Sequence, residues 1–489
     1  MNELINEILA DYDKIWSIRQ AQSLMGWDLE TYMPEAAAKR RGDAYARLSL
    51  MEQEAYLPLK EKVKRAQEKH DLSDPERGIL RVLNRRIHYF TAIPPELLAR
   101  QDRTSAEAAI VWRKARKVSD FSIFKPYLEQ IVEIQREIAE KLGYKNHPYN
   151  ALIDQYEEGF TTDDADAVFS FLLPASKEIF DKVSQRAYFS GEHELESKKY
   201  DTKKMYQVNS EIVDLLLMPK DRFRMDISTH PFTIGISPND VRITTRYEGV
   251  NFKASLYSTI HESGHAIYDL QIPEDISTTP VWGGASTGIH ESQSRFWENF
   301  VGRSRMFTEL VTPILKRHLK FLSKYTSDEL YRYFNKVNPT MIRVDADEVT
   351  YNFHIAVRYE IEKQLISGKM SVSDSPEAWN DLMDKYIGIR PKNYSEGILQ
   401  DIHWSQGGFG YFPTYTLGNV VAGMVWDSGN YKQMIRDNDF AGIKGSLYQK
   451  IHKFGSIYSP KDLLFRTFGE TYNPSHLIRY LREKYVNEN

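Results

Sequence analysis

Residues 256–270 read Leu-Tyr-Ser-Thr-Ile-His-Glu-Ser-Gly-His-Ala-Ile-Tyr-Asp-Leu, and the other motifs of the chain are interpreted around this stretch. His261, Glu262 and His265 form the pattern HExxH. On a helix, side chains four residues apart lie on one face, so both imidazoles can reach one metal ion. Glu262 stands beside the first imidazole, where a zinc hydrolase has its general base. The apolar side that a buried helix needs is formed by Leu256, Ile260 and Ile267.

A third ligand has to come from elsewhere, because a catalytic zinc keeps three protein ligands. The metzincin extension is excluded, since the positions three and six residues after the second histidine hold tyrosine and glutamine instead of glycine and histidine. Residues 286–305 read as a second helix with two carboxylates, Glu291 and Glu298, that are seven residues apart and share a face. Helical geometry leaves the choice between them open. Asp269 is a further option, which we expect to lie outside the ligand set.

Two motifs together, His261-Glu-Ser-Gly-His265 and His290-Glu-Ser-Gln293, resemble those of the Taq-type thermostable zinc carboxypeptidase family. That family is similar in fold to neurolysin and angiotensin-converting enzyme. Its other motifs are also present in order, namely His230-Pro-Phe232, Asp240-Val-Arg-Ile-Thr244, Ile342-Arg-Val-Asp-Ala-Asp347 and Gly397-Ile-Leu-Gln-Asp-Ile-His-Trp404. Six ordered motifs make chance agreement negligible.

The resemblance implies that Glu291 is the third zinc ligand and that Glu298 is a residue of the helix face. It also implies a zinc-dependent carboxypeptidase that releases single C-terminal residues from peptides with broad specificity. One Zn²⁺ is expected per subunit, with Co²⁺ as a substitute, and the subunits are expected to form a homodimer.

The chain is predicted to be a single catalytic domain, residues 1–489, with the all-α, two-lobed fold of a neurolysin-like zincin around a deep cleft. Helical periodicity dominates, and the helical lobe is expected at about 1–220, followed by the zinc-site and cleft-forming part at about 221–489. A break is predicted at residues 26–34. Two capping boxes predict helix starts at Ser73-Asp-Pro-Glu76 and Thr326-Ser-Asp-Glu329.

Two segments depart from the helical pattern. Alternating apolar residues around the turn Ser237-Pro-Asn-Asp240 predict a β-hairpin over residues 231–249, close to the active site. Such a hairpin is either a structural clip or an edge that pairs with a peptide backbone. Residues 393–418 form a glycine-rich stretch, predicted to be a functional loop. We expect the hairpin 231–249 and residues 397–418 of this loop to form the wall that stops longer chains.

Composition restricts the class of protein. Charged residues make up 27% of the 489 residues and the formal net charge is −4, so no nucleic-acid partner is expected. The absence of cysteine excludes thiolate metal sites and cysteine nucleophiles. There is no apolar run of about 18 residues, so no membrane association is expected. The amino terminus lacks the basic start of a signal peptide, which favours a cytoplasmic location.

The expected chemistry uses a water whose pKa zinc lowers to about 7. Glu262 is expected to take the proton of this water and pass it to the leaving amine. The tetrahedral oxyanion needs further donors. His403, Tyr411 and Tyr415 are the candidates, because the glycine-rich stretch resembles the part of neurolysin-like enzymes that supplies tyrosine and histidine. Asp401 is a candidate for orienting His403.

Removal of the last residue also requires a group that binds the terminal carboxylate. A guanidinium fork matches a carboxylate bidentately. Arg343 and Arg242 lie in family motifs, and Arg343 is favoured over Arg242, with Arg246 as a third candidate. His230 is expected to line the same wall or to be a buried structural histidine.

Two other functions remain open on the sequence. One is an endo-oligopeptidase or dipeptidyl-carboxypeptidase on the same scaffold, which would cleave a C-terminally amidated peptide at internal bonds. The other is a non-catalytic binding protein stabilised by a metal, against which the complete set of His261, Glu262 and His265 argues.

Overall fold

A computed structural model describes residues 2–186 and 188–487 of the chain. The described chain is mostly helical with one small β-sheet, which confirms the predicted fold class. None of the helices in the described residues combines the length and apolar character that crossing a bilayer requires.

The helices are numbered in chain order. Those before the sheet are α1 (Glu3–Thr31), α2 (Ala38–Tyr56), α3 (Leu59–Gln67), α4 (Asp74–Ala92), α5 (Pro95–Val118), α6 (Phe121–Leu142), α7 (Tyr149–Ile153), α8 (Thr162–Ser184) and α9 (Thr202–Leu215). Those after it are α10 (Phe252–Gln271), α11 (Thr287–Arg295), α12 (Arg305–His318), α13 (Ser327–Phe334), α14 (Tyr351–Ile366), α15 (Ser375–Ile387), α16 (Pro413–Asp427), α17 (Tyr431–Arg436), α18 (Phe440–Lys450), α19 (Pro460–Phe468) and α20 (Ser475–Arg482). The π-helical segments are Phe296–Gly302 and Glu483–Asn487.

The chain divides into two compact units, each assembled from three separated segments. The first unit consists of Met1–Thr91, Glu192–Phe334 and Val425–Gly469. The second consists of Ala92–Gly191, Asn335–Met424 and Glu470–Asn489. The predicted parts followed chain order with a division near residue 220, whereas the units interleave along the chain. The single catalytic domain stays a prediction.

Local sequence signals explain where several elements begin and end. At α4 the Glu76 carboxylate accepts the N–H and hydroxyl of Ser73 at 2.8 and 2.7 Å, which is one half of the predicted capping box. Before α13 both halves are formed, because Glu329 accepts the N–H of Thr326 at 2.7 Å and Thr326 accepts the N–H of Glu329 at 3.1 Å. The predicted break at residues 26–34 is shorter than expected. Helix α1 continues through Gly26, which a helix interior tolerates at about 1 kcal/mol, and ends just before Pro34.

The predicted loop at residues 393–418 is also shorter than expected. Helix α16 begins with Pro413, whose fixed φ angle suits a first helical turn, so residues 413–418 are helical. The remaining segment, residues 393–412, is called the glycine-rich loop below.

The sheet consists of β1 (Phe223–Ile227), β2 (Thr233–Ser237) and β3 (Asp240–Thr245) in the order β1–β3–β2. β2 and β3 form the predicted hairpin, and β1, which was not predicted, pairs with β3 in parallel. β3 packs against α10, where the Thr259 hydroxyl donates to the Thr245 hydroxyl at 3.1 Å. β2 is therefore an edge strand beside the helix that contains the HExxH motif.

Helices α10 and α11 pack at very close range. A Cβ atom at Gly264 would lie 2.7 Å from the backbone oxygen of Gln293 and 2.7 Å from Cα of Ser294. Only a residue without a side chain permits this approach. Asn251 caps α10 and Ser286 caps α11. The side-chain oxygen of each residue accepts a backbone N–H group from the first turn of its helix. Gly264 thus brings Glu291 of α11 within reach of the imidazoles of α10.

Candidate metal centre and active site

α10 and α11 present three side chains to one point in the first unit. His261 and His265, one turn apart on α10, and Glu291 on α11 each place a ligand atom within 4.8 Å of the others. Oε2 of Glu291 lies 3.7 Å from Nε2 of His261 and 3.4 Å from Nε2 of His265. Among residues 2–186 and 188–487, no other group of three histidine or carboxylate side chains lies close enough together to hold a metal ion.

The competing carboxylate, Glu298, contacts the other nitrogen of the same imidazole. Its Oε2 lies 2.9 Å from Nδ1 of His261, whereas Glu291 faces Nε2. Its Oε1 accepts a hydrogen bond from Nη2 of Arg303 at 2.9 Å. The predicted second helix is divided here: Glu291 lies on α11 and Glu298 on the π-helical segment that follows, and the two carboxylates act on opposite sides of one ring. Glu298 is thus placed to orient His261, and Glu291 is the carboxylate that completes the three-residue set.

His265 is oriented through a second imidazole. Its Nδ1 lies 2.6 Å from Nδ1 of His290, and Nε2 of His290 lies 2.9 Å from Oδ1 of Asp269. Because a carboxylate accepts, His290 donates its proton from Nε2 and accepts one from Nδ1 of His265. This order leaves the Nε2 lone pair of His265 available to a metal. Asp269 therefore contacts the partner of His265 and is not one of the three side chains that meet at one point.

Arg295 neutralises the carboxylate of Glu291. Its Nε donates to Oε1 of Glu291 at 2.7 Å, and its Nη1 lies 3.4 Å from Oε2 of Glu298. Burial alone would raise the pKa of Glu291, but Arg295 and the two histidines hold that pKa well below its usual range. The same guanidinium helps to keep the pKa of Glu298 low against burial. Both carboxylates are thus ionised at neutral pH.

Glu262 is held by the edge strand of the sheet. The Thr233 hydroxyl on β2 lies 2.7 Å from Oε2 of Glu262 and 3.0 Å from its backbone oxygen. Glu262 directly follows His261 in the sequence, and its side chain is buried. A carboxylate in this position, next to the ligand set and fixed from a neighbouring strand, has the arrangement of a general base.

The structure groups the predicted oxyanion donors in the second unit. Nε2 of His403 lies 3.2 Å from the hydroxyl of Tyr415, and the His403 and Tyr411 rings are 5.5 Å apart. Burial lowers the pKa of His403 to about 4; Asp401 opposes this shift, and Arg343 and Arg358 add to it. The imidazole is therefore neutral at neutral pH and can donate one hydrogen bond.

Asp401 does not contact His403 through a hydrogen bond but bridges two buried arginines. Its Oδ1 accepts from Nε and Nη2 of Arg343 at 3.0 and 2.8 Å, and its Oδ2 accepts from Nε of Arg358 at 2.7 Å. Nη1 of Arg343 also lies 3.0 Å from the Tyr351 hydroxyl. One carboxylate thus serves two guanidinium groups.

The other predicted substrate-binding residues belong to the first unit. Arg242 forms a bidentate pair with Asp240, with both distances 2.7 Å, and its guanidinium lies 5.5 Å from the Trp27 ring centroid. His230 is exposed in the segment before β2, and its carbonyl accepts a hydrogen bond from the Ser228 hydroxyl. Arg242 has a carboxylate of its own, whereas Arg343 shares Asp401 with Arg358.

The family model for carboxypeptidase Taq (M32) metallopeptidase matches residues 7–485. The chain belongs to the M32 family. It is 44% identical to thermostable carboxypeptidase 1 of Pyrococcus furiosus over 99% of both chains, and 35% identical to carboxypeptidase 1 of Bacillus subtilis over 96% of this chain and 95% of that one. A solved structure of the Pyrococcus furiosus carboxypeptidase superposes with a TM-score of 0.98, covering 99% of each chain.

Membership of the M32 family makes this protein a metallocarboxypeptidase, a hydrolase that uses a divalent metal and acts on peptides. The residues present fit such a metal. Two neutral imidazole nitrogens and one carboxylate oxygen are the donors found in catalytic zinc sites, and each imidazole has a partner on its far nitrogen that directs Nε2 toward the common point.

Sequence reasoning missed several residues around the M32 site. Thr233 was not predicted to hold Glu262, although it follows the motif His230-Pro-Phe232 directly. Arg295 was missed as well; its spacing of four residues from Glu291 on one helix is a signal that points to an ion pair. The contact between Asp269 and His290 was also missed, because these residues are 21 positions apart in the sequence and meet only through the packing of α10 against α11.

Proposed function

We propose that the protein is a zinc-dependent carboxypeptidase that releases single C-terminal residues, with broad specificity, from peptides with a free C-terminus. The observation that carries this proposal is the convergence of His261, His265 and Glu291 beside Glu262 in a chain of the M32 family. A homodimer and a cytoplasmic location remain predictions from the resemblance and the composition.

His261, His265 and Glu291 would hold the zinc ion, for which Co²⁺ would substitute. When bound, zinc supplies a Lewis acid that polarises the scissile carbonyl and lowers the pKa of water. Glu262 takes a proton from the attacking water and transfers it to the leaving amine. The hydrogen bond from Thr233 keeps one oxygen of Glu262 in place, so the other oxygen is directed to this proton.

The substrate is aligned by two further features in this proposal. β2 is an edge strand and carries Thr233, which touches Glu262, so a peptide backbone that adds to this edge reaches the base. His403, Tyr411 and Tyr415 supply hydrogen bonds to the developing oxyanion, and the neutral imidazole of His403 does so without carrying a competing charge.

Arg343 is proposed to attract the terminal carboxylate. Arg343 shares the single carboxylate of Asp401 with Arg358, so a second carboxylate, that of a peptide end, can add to its charge-assisted contacts. Arg242 is the second choice, because its bidentate pair with Asp240 already satisfies its charge. His230 is proposed to contact the substrate from the exposed segment before β2.

The deciding experiment follows one unblocked peptide over time by mass spectrometry with the zinc-loaded protein. A ladder that loses one residue per step supports the proposal. Loss of two residues per step, or internal cleavage of the C-terminally amidated peptide, identifies a dipeptidyl-carboxypeptidase or an endo-oligopeptidase instead. No release from any unblocked peptide refutes catalysis by this centre.

A further inference from the structure

A buried carboxylate of the second unit contacts the glycine-rich loop at two points. Glu362 lies on α14, and its side chain is buried. Its Oε1 accepts a hydrogen bond from Nε1 of Trp404 at 2.6 Å, and its Oε2 accepts one from the backbone N–H of Gly410 at 3.0 Å. The hydroxyl of Tyr149, on α7, also donates to Oε2. One carboxylate thus joins the loop, α7 and α14.

Each of these two loop contacts adjoins a residue proposed to act on the substrate. Trp404 follows His403, and Gly410 precedes Tyr411. At Gly410 the backbone has a φ of +89°, and a Cβ atom would lie 2.5 Å from the carbonyl carbon of Leu152 on α7. The loop therefore fits against α7 in one conformation, in which Gly410 directs its N–H to the carboxylate.

These hydrogen bonds require both oxygens of Glu362 to act as acceptors. A carboxyl group meets this requirement fully when it is ionised. Burial raises the pKa of Glu362 to about 7, against the opposing effects of Tyr149, Gly410, Trp404 and Arg358. When Oε2 is protonated, the bond from Gly410 loses its charge-assisted character, and such bonds are about twice as strong as neutral ones. The loop contact thus weakens as pH falls through about 7.

We propose that Glu362 is a positioning residue that holds the glycine-rich loop in the conformation in which His403 and Tyr411 meet the substrate. The inference rests on the proposed function, because it concerns how the loop side chains are placed for that reaction. Glu362 acts through Trp404 and Gly410 and has no role as a metal ligand.

The first test compares kcat/KM of the wild type and the Glu362→Gln variant on one free-acid peptide between pH 6 and pH 8. The amide keeps the shape of the side chain but cannot accept all three hydrogen bonds. We expect the variant to be about 3- to 10-fold less active at pH 8. The ratio should approach one at pH 6, where the wild-type carboxyl is also neutral, and zinc content should be unchanged at both pH values.

A second variant preserves the carboxylate. Tyr149→Phe removes a donor that lowers the pKa of Glu362, so the fall in activity on acidification should begin at a higher pH than in the wild type. Glu348→Gln is the control, since the Glu348 side chain in the second unit is also little exposed, accepts from the hydroxyls of Tyr480 and Tyr485 at 3.0 Å each, and forms an ion pair with Lys484. This control should lower the melting temperature without changing the pH dependence.

The outcomes separate this inference from the proposed function. If the wild type releases no amino acid, the proposed function fails before any variant is compared. If the wild type is active and folded Glu362→Gln has a constant activity ratio from pH 6 to pH 8, the role of Glu362 is refuted. If Glu362→Gln does not fold, Tyr149→Phe decides: an unshifted pH profile overturns the proposal.

Discussion

Replacing Gly264 with alanine tests whether the close packing of two helices builds the metal centre. The new Cβ would lie 2.7 Å from backbone atoms of α11, whereas ordinary contacts are 3.4–4 Å, so the helices must separate by at least about 0.7 Å. Metal–ligand distances tolerate only about 0.2 Å. Such a separation moves Glu291 out of range but leaves His261 and His265, both on α10, at their mutual spacing.

We therefore expect Gly264→Ala to weaken zinc binding by more than about 100-fold. Loss of a residue that only hydrogen-bonds to a ligand typically lowers metal affinity about 10- to 100-fold, and loss of a ligand itself should lower it more. Overpacking should also lower stability by about 1–3 kcal/mol, partly offset by the better helix propensity of alanine. The affinity is measured by competition with a chromophoric chelator, and the fold is checked by circular dichroism.

The control is Gly26→Ala in α1. A Cβ at Gly26 meets nothing within 4 Å, so this variant should bind zinc normally and gain up to about 1 kcal/mol of stability. If folded Gly264→Ala binds zinc as tightly as the wild type, α11 is free to adjust, and close packing does not determine the ligand geometry.

Three further predictions concern individual side chains. Glu262→Gln should keep its zinc and lose about 10²–10⁴-fold in kcat, and near-normal turnover of the zinc-loaded variant would show that another group is the base. Glu291→Ala should lose zinc affinity by orders of magnitude, whereas Glu298→Ala should lose only about 10- to 100-fold because it orients His261; isolation of only the Glu298 variant without zinc would reverse the assignment. Arg343→Ala should lower kcat/KM about 10- to 100-fold for free-acid peptides, and so narrow the difference in kcat/KM between free-acid and amidated peptides, while Arg242→Ala should have less effect. If both variants prefer free-acid peptides as strongly as the wild type does, another group binds the terminal carboxylate.

The HExxH helix and the hairpin could be predicted because their signals are local. Two imidazoles four residues apart define a helical face, and alternating apolar residues around a Ser-Pro-Asn-Asp turn define a hairpin. β1 was missed, since its partner β3 follows about a dozen residues later in parallel and its own burial does not alternate. Parallel pairing leaves no turn signature in the sequence.

The choice between Glu291 and Glu298 illustrates what residue spacing cannot decide. Seven residues on a helix return to the same face, so both carboxylates point to α10. The roles differ because Glu291 meets Nε2 and Glu298 meets Nδ1 of His261, and only the packing of two helices determines this. The π-helical turn that contains Glu298 directly follows α11 and has no reliable sequence signal.

The interleaved composition of the two units has a consequence for synthesis on the ribosome. Domains usually fold in order from the N-terminus as the chain emerges. Here each unit takes its last segment from beyond residue 424 or 469, so neither is complete until almost the whole chain has been translated. We therefore expect the apolar faces of helices α1–α9 to stay uncovered until the last segments emerge, and we expect chaperones that shield such surfaces to act at this stage.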